Sequence, residues 1–285
     1  MPIDYAKLKT RRFADVEHDY GVRDTILYAL GIGCGVDPMD AEDLRFVYEH
    51  ELRVLPTMAA VLAYPGFWLK EPDTGVDWRK VLHGEQGLVL HQALPASGTV
   101  VGRTRVSEIV DQGPGKHALL YSERDVVEKA SGERLCTLTS CSVLRGEGGF
   151  GGPPGPVPKP HRVPDGSPRF VVDRPTLPQS ALVYRLSGDD NPLHADPKVA
   201  AAAGFPRPIL HGLCTFGVAG RALLKACCGD DQSKLKSMSV RFTAPVFPGE
   251  TIRTEIWRDE NVVSFRSRVV ERDAVVLDNG YAELA

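Results

Sequence analysis

The chain has 285 residues, 42% of them hydrophobic and 25% charged, with a formal net charge of -3. That length supports one large domain or two small ones with a substantial core, and the lack of a basic excess argues against nucleic acid as the main partner. Six cysteines (Cys34, Cys136, Cys141, Cys214, Cys227 and Cys228) show no paired Cys-x-x-Cys spacing, which predicts reduced thiols in a reducing compartment.

In chain order, the first predicted helices are Asp24 to Ile32, opened by an Asp N-cap, and Leu55 to Ala63, apolar with Pro56 near its start. Between them Gly31-Ile-Gly33-Cys-Gly35 superficially suggests a nucleotide loop. It follows a helical run and lacks the Gly-x-Gly-x-x-Gly spacing, so it is discounted. A strand is expected at Gly87 to Ala93, then a turn at Pro95-Ala-Ser-Gly98. Alternating β-rich runs follow at Thr99 to Ile109, His117 to Glu128 and Arg134 to Leu144. Residues 148–168 are crowded with glycine and proline and cannot hold a helix or a central strand. They read as a linker between a first unit, residues 1–147, and a second, residues 169–285.

The second unit repeats the pattern of the first. Its strand at Ser237 to Thr243 leads to a turn at Pro245-Val-Phe-Pro-Gly249 and strands at Thr251 to Arg258, Val262 to Glu271 and Val275 to Leu284. Gly212 to Cys228 is apolar on nearly every face and rich in small residues, as a helix wrapped on several sides should be. A curved antiparallel sheet around a buried helix is the hotdog arrangement. The expected fold is therefore α+β, a double hotdog of two curved antiparallel sheets, each around a central helix.

Chemistry concentrates in Leu186 to Gly212. Asp189 and His194 sit five residues apart, with Asn191-Pro192 between them. Pro192 bars a regular helix through Asn191 and forces a turn that can bring carboxylate and imidazole together. Asp196-Pro197 then opens a short helix through Ala203, ended by Gly204, and His211-Gly212 opens the buried helix. A carboxylate and a histidine on one water can supply a base and a proton. A helix-terminal N–H can stabilise a developing oxyanion, and Gly212 leaves room for it. This is the equipment for hydrating an α,β-unsaturated thioester. An Asx turn that satisfies only its own backbone is the competing reading of the same residues. Asp189, Asp190, His194 and Asp196 lack a recognised metal spacing, so no metal is expected.

Tyr184-Arg-Leu-Ser-Gly-Asp-Asp-Asn-Pro-Leu-His194 and Pro208-Ile-Leu-His-Gly-Leu-Cys-Thr-Phe-Gly217 resemble the signature of the (R)-specific enoyl-CoA hydratases, the MaoC-like or hydratase-2 family. Tyr28-Ala-Leu-Gly-Ile-Gly33, Leu44-Arg-Phe-Val-Tyr-Glu49, Val81-Leu-His-Gly-Glu-Gln86, Gly148-Gly-Phe-Gly-Gly152 and Arg241-Phe-Thr-Ala-Pro-Val-Phe-Pro-Gly249 extend the resemblance along nearly the whole chain, to the hydratase-2 unit of the peroxisomal multifunctional enzyme of β-oxidation. The resemblance implies hydration of a trans-2-enoyl-CoA to the (3R)-3-hydroxyacyl-CoA, with Asp189 and His194 catalytic, Asn191 holding the site and the Gly212 N–H as oxyanion donor. It implies a first unit that shapes the acyl pocket without catalysing, no cofactor beyond the coenzyme A of the substrate, and a homodimer. Leu82-His83-Gly84 leads into a strand and is not read as a second oxyanion site, and Glu49 is read as structural rather than catalytic. Arg207 is the candidate for coenzyme A binding, since it falls near the site entrance. A hotdog acyl-CoA thioesterase and a non-catalytic acyl-CoA binding protein are the alternatives. The N-terminal stretch Met1 to Lys7 lacks the charge and apolar run of a signal peptide, no segment approaches the ~20 apolar residues of a membrane span, and the C-terminus is not Ser-Lys-Leu. The cytoplasm is the expected location, with no membrane partner.

Overall fold

The computed structural model describes residues 3–285; Met1 and Pro2, where the signal-peptide reading begins, lie outside the described residues. The strands are β1 (Val16–Tyr20), β2 (Val81–Leu90), β3 (Gly98–Asp111), β4 (Ala118–Glu128), β5 (Arg134–Leu144), β6 (Phe170–Pro175), β7 (Leu235–Phe242), β8 (Thr251–Asp259), β9 (Val262–Val269) and β10 (Ala274–Leu284). The helices are α1 (Tyr5–Lys9), α2 (Val22–Gly31), α3 (Ala41–Leu44), α4 (Ser180–Tyr184), α5 (Pro197–Ala202) and α6 (Gly212–Leu223). The strands form one ten-stranded antiparallel sheet in the order β1-β3-β4-β5-β2-β7-β10-β9-β8-β6. Five strands come from each half of the chain. The halves join where β2 pairs with β7, and Arg241 on β7 bonds Glu85 on β2 at 3.1 Å across the seam. This is the double hotdog.

Alternation builds the inner face. Along β8, Ile252, Thr254 and Ile256 are fully buried while their neighbours are half-exposed, the period-2 pattern of a strand with one face on the core. The core those faces cover is α6. It touches β7 at one end of the second half-sheet and β6 at the other, so five strands curve around it. Ten of its twelve residues are buried, and a π-helical turn, Leu224–Cys228, continues it. Two small positions set how closely the rest of the chain approaches. A Cβ at Gly217 would lie 2.7 Å from Ile32 Cγ2, and one at Gly220 would lie 2.5 Å from Thr57 Cγ2. Neither position has room for a methyl group.

The centre of the first half departs from the expected helix over Leu55 to Ala63. It is a six-residue 3-10 segment, Pro56–Val61, packed against α6, β2 and β5. Leu62 is already extended, Ala63 has φ +48, and Tyr64 precedes Pro65, a position that disfavours helix. The helix placed from Asp24 begins earlier, at Val22, with Gly21 as its N-cap. Asp24 is its third residue and accepts from Gly21 N at 2.8 Å, the return bond of a capping box. β1 and β6 were not expected. Both are short, charged and at the two edges of the sheet.

Residues 148–168 hold no helix or strand. Their start is latched rather than loose: the buried Asp111 carboxylate accepts from the N–H groups of Gly149 (2.6 Å), Gly151 (2.9 Å) and Gly152 (3.3 Å). Further on, His161 bonds Ser264, and its carbonyl accepts from Asn279 Nδ2. All six cysteines are free and buried, and burial pushes the thiols of Cys34, Cys136 and Cys141 up to about 12. They are inert packing groups.

Candidate active site

The chain between α4 and α6 folds back on itself. Gly188, at φ +113, turns it out of a 3-10 stretch (Arg185–Ser187), a conformation that few other residues adopt. The Asn191 N–H donates to Asp189 Oδ1 at 3.2 Å, and Asn191 Oδ1 accepts from Leu193 N at 3.1 Å, capping a tight turn over Pro192–His194. That turn buries the His194 side chain. Asp196 and Pro197 start α5 as expected, and α5 ends at Ala202. The extended return through 205–210 is fixed by Leu210 N on Val246 O (2.7 Å) and brings Ile209 and His211 back against His194.

His194 Nδ1 lies 2.9 Å from Ile209 O. A carbonyl only accepts, so Nδ1 carries the proton and Nε2 is left with its lone pair. Burial lowers the imidazole below its ordinary value, which keeps it neutral at physiological pH. His211, the N-cap of α6, stacks on it with ring centroids 3.7 Å apart and planes 28° from parallel. One donor or acceptor atom from each of Asp189, His194 and His211 falls within 4.8 Å of the others. Nearly parallel rings point their in-plane lone pairs side by side, a poor arrangement for two nitrogens converging on one ion. It suits a carboxylate and one imidazole meeting a shared water.

The α6 N-terminus adjoins this cluster. Cys214 N and Thr215 N reach back to His211 O, while Gly212 N and Leu213 N, the first two amides, have no intrahelical acceptor. A Cβ on Gly212 would lie 3.2 Å from Phe242 Cε1, so the bare backbone also serves to seat that ring. Beside the cluster opens a cavity of about 330 Å³, bounded by Val16, Leu27, Met58, Leu62 and Tyr64 of the first half and by Leu186 to Gly188, the residues just before Asp189.

Two family models divide the chain between them: the MFE-2 hydratase 2 N-terminal domain matches residues 18–146 and the MaoC like domain matches residues 160–279. The 3-hydroxyacyl-thioester dehydratase Y of Mycobacterium tuberculosis is 44% identical over 271 residues, covering 92% of this chain and 91% of that one. The peroxisomal enoyl-CoA hydratase 2 of Arabidopsis thaliana is 38% identical, covering 97% and 94%. The chain belongs to the MaoC-like, hydratase 2 family. A crystal structure of a MaoC-like dehydratase from Phytophthora capsici superposes with a TM-score of 0.88 at 35% identity, over 99% of this chain and 98% of that one.

Against this hydratase 2 frame, the structure brings Asp189, Asn191 and His194 together in one turn and sets Gly212 at the start of α6, directly after the histidine stacked on His194. Among the described residues, Arg207 makes no hydrogen bond to the cluster. It is exposed, donates to Pro248 O at 3.3 Å and lies over the Phe247 ring at 5.1 Å, with Arg272 on the same ring at 5.2 Å. Glu49 is exposed and makes no hydrogen bond among the described residues. His83 lies inside β2, its ring 4.7 Å from Phe242, the ring seated on Gly212. Sequence reasoning missed His211, Tyr64 and His83 as neighbours of the site. The Asp189 carboxylate acts electrostatically on both Tyr64 and His83. Both come from the first half and are brought in by the sheet seam and the cavity wall, for which no local spacing gives a signal.

Proposed function

We propose that the protein catalyses the reversible syn addition of water to a trans-2-enoyl-CoA, giving the (3R)-3-hydroxyacyl-CoA. The observation that carries this reading is the juxtaposition of a neutral His194 with free Nε2, the Asp189 carboxylate and the open first amide of α6. Water held by Asp189 and His194 loses a proton as its oxygen bonds C3. The thioester oxygen gains charge at the Gly212 N–H. A proton is then delivered to C2 by the same pair, so both additions occur on one face. Asn191 holds the turn that presents Asp189. The names of the relatives, a 3-hydroxyacyl-thioester dehydratase and an enoyl-CoA hydratase 2, point to the same reaction.

In this reading residues 1–147 shape the acyl pocket and residues 169–285 carry the chemistry, supported by a cavity wall drawn mostly from residues 16–64. A cavity that admits benzene is on the order of 150 Å³, so this one takes roughly a dozen carbon atoms, a medium-length acyl group. The exposed Arg207 is the proposed contact for coenzyme A phosphate. No cofactor or metal enters the scheme. A homodimer in the cytoplasm completes the reading; six buried thiols fit a reducing compartment, and no described helix is long and apolar enough to cross a membrane.

The test is incubation with crotonyl-CoA and longer 2-enoyl-CoAs, following loss of the enoyl absorbance and checking the product with a 3R-specific dehydrogenase. Asp189→Asn and His194→Gln are each expected to lower kcat by at least about 100-fold, the loss typical of a general acid–base group. Wild-type rates in both variants would remove the site. Release of free coenzyme A without hydration would mark a thioesterase, and binding with no turnover a carrier.

A further inference from the structure

His211 does work that the acid–base pair and the oxyanion amide do not do for themselves. Asp189 sits in a stretch, Gly188 to Asn191, that has no regular structure. Most hydrogen bonds of that stretch are local: Gly188 N to Arg185 O, Asn191 N to Asp189 Oδ1, Asn191 O from His194 N, Leu193 N to Asn191 Oδ1, and Arg185 Nη2 to Asp190 O. Among the described residues, one hydrogen bond ties the stretch to a distant part of the chain. It runs from His211 Nε2 to the Asp189 carbonyl, at 3.2 Å and 22 residues apart.

The same imidazole is stacked on His194 at 3.7 Å, and the next residue along the chain is Gly212. One side chain therefore touches the backbone of the proposed carboxylate and the ring of the proposed base, and its own main chain leads directly into Gly212, the residue whose amide is the proposed oxyanion donor. His211 is 1% exposed, and Tyr184 backs it from another side with ring centroids 5.0 Å apart, so the ring has little freedom to move. Because Nε2 donates to a carbonyl, the ring is the neutral Nε2–H tautomer, with Nδ1 buried and unpartnered.

We propose that His211 is a positioning residue for the hydration reaction: it locks Asp189, His194 and the Gly212 amide into one rigid set, acting through its N–H on one side and its ring face on the other. The proposal rests on the hydratase reading above. It predicts an effect on the chemical step more than on substrate binding, because His211 acts on the catalytic groups and is not among the residues that line the acyl cavity.

The experiment uses the full chain and three variants. His211→Gln keeps an N–H donor and loses the ring, His211→Phe keeps a ring and loses the donor, and His211→Ala loses both. For each, kcat and KM are measured on crotonyl-CoA and a medium-chain 2-enoyl-CoA, together with the Kd for the saturated acyl-CoA by calorimetry and the thermal midpoint. The expected result is a kcat reduced about 10- to 100-fold in His211→Ala, smaller losses in the two variants that keep half of the lock, and KM and Kd within about threefold of wild type. A kcat within twofold of wild type in His211→Ala overturns the proposal. So does a parallel collapse of kcat, Kd and thermal midpoint in all three variants, which would make His211 a folding residue. A wild-type protein inert toward every enoyl-CoA would instead sink the hydratase reading.

Discussion

Two imidazoles packed face to face cannot both be charged, and the site resolves that conflict by burial. His211 is driven down to about 3, first by desolvation and then by repulsion from His194, and desolvation also lowers His194. Both folded-state values lie below the unfolded value of about 6.5, so below that pH the unfolded chain binds more protons than the folded one. The stability these groups contribute is therefore complete above about pH 6.5 and is lost as pH falls from there toward 3. Thermal midpoints measured from pH 8 to 4 are expected to fall in the acid range, and less steeply for His211→Gln than for wild type. An identical slope would show that His211 titrates normally. Activity should follow His194: the acid limb of kcat/KM lies below pH ~6.5, since only the neutral ring has a free Nε2. A limb above pH 7 would assign the proton to another group. At this scale the sequence was informative where the chemistry is local. Asp189, Asn191 and His194 are joined by a proline-forced turn within six residues. His211 against His194, and Tyr64 and His83 near Asp189, depend on chain segments far apart, and nothing in their own neighbourhoods announces the contact.

Among the elements, legibility followed burial. The eight strands with an apolar face on the core show period-2 alternation and were placed to within a few residues, except β2, which starts six residues before the predicted run. That early part, Val81 to Gln86, includes exposed and polar positions. The edge strands β1 and β6 are only five and six residues long and each carries charged side chains, the composition that keeps edges from pairing with other molecules, and their shortness leaves little room for a hydrophobic alternation to show. The apolarity and length of residues 55–63 favour a helix; the extended Leu62, Ala63 at positive φ and Tyr64 before Pro65 end the segment after six residues of 3-10 turn. α6 was legible because it is apolar all round, but the role of its first residue was only half visible. Gly212 leaves space for the Phe242 ring and, in the proposed reaction, for the substrate oxygen. In Gly212→Ala the new methyl group must push that ring back by a few tenths of an ångström, while alanine favours the helix by about 1 kcal/mol. The two effects on stability oppose each other, so the thermal midpoint should move by only a few degrees. The amide, however, loses its unobstructed approach. A fall in kcat of about tenfold, equivalent to ~1.4 kcal/mol of transition-state stabilisation, is expected in steady-state assays; an unchanged kcat would move the oxyanion donor elsewhere.

At the scale of the whole molecule, the question is what keeps a first half without the catalytic motif aligned with a second half that has it. The β2–β7 seam is one answer, and a buried ionic cluster is the other. Asp43 on α3 is 4% exposed and receives Arg174 Nη2 at 2.9 Å and Arg221 Nε at 2.8 Å, both from the second half. Arg221 is wholly buried, also pairs with Asp230 and lies over the Phe46 ring at 4.9 Å, while Arg174 reaches Gly33 O at 2.9 Å. Burial works against the charge on Asp43, and the two guanidiniums override it, holding the carboxyl below its ordinary value. The partners are separated by 131 and 178 residues, which is why no motif marks them. Replacing such a cluster by well-packed apolar residues can be neutral, but removing one member strands the others in a dry interior at a cost of about 3–5 kcal/mol. Asp43→Ala removes the first-half partner that Arg174 and Arg221 share, leaving Arg221 with Asp230 alone and Arg174 without a carboxylate. With about 2–4 °C lost per kcal/mol in chains of this size, its thermal midpoint should fall on the order of 10 °C. Because, among the described residues, no hydrogen bond of the cluster reaches Asp189 or His194, kcat of the folded variant well below its new midpoint should stay within about threefold of wild type. The cavity proposed for the acyl chain is lined by both halves, so the variant should show its activity defect chiefly as a raised KM for medium-chain substrates, with crotonyl-CoA less affected. A midpoint unchanged within 2 °C would mean that the sheet seam alone aligns the halves. An equal loss of kcat on short and medium chains would mean that the cluster supports the catalytic turn directly.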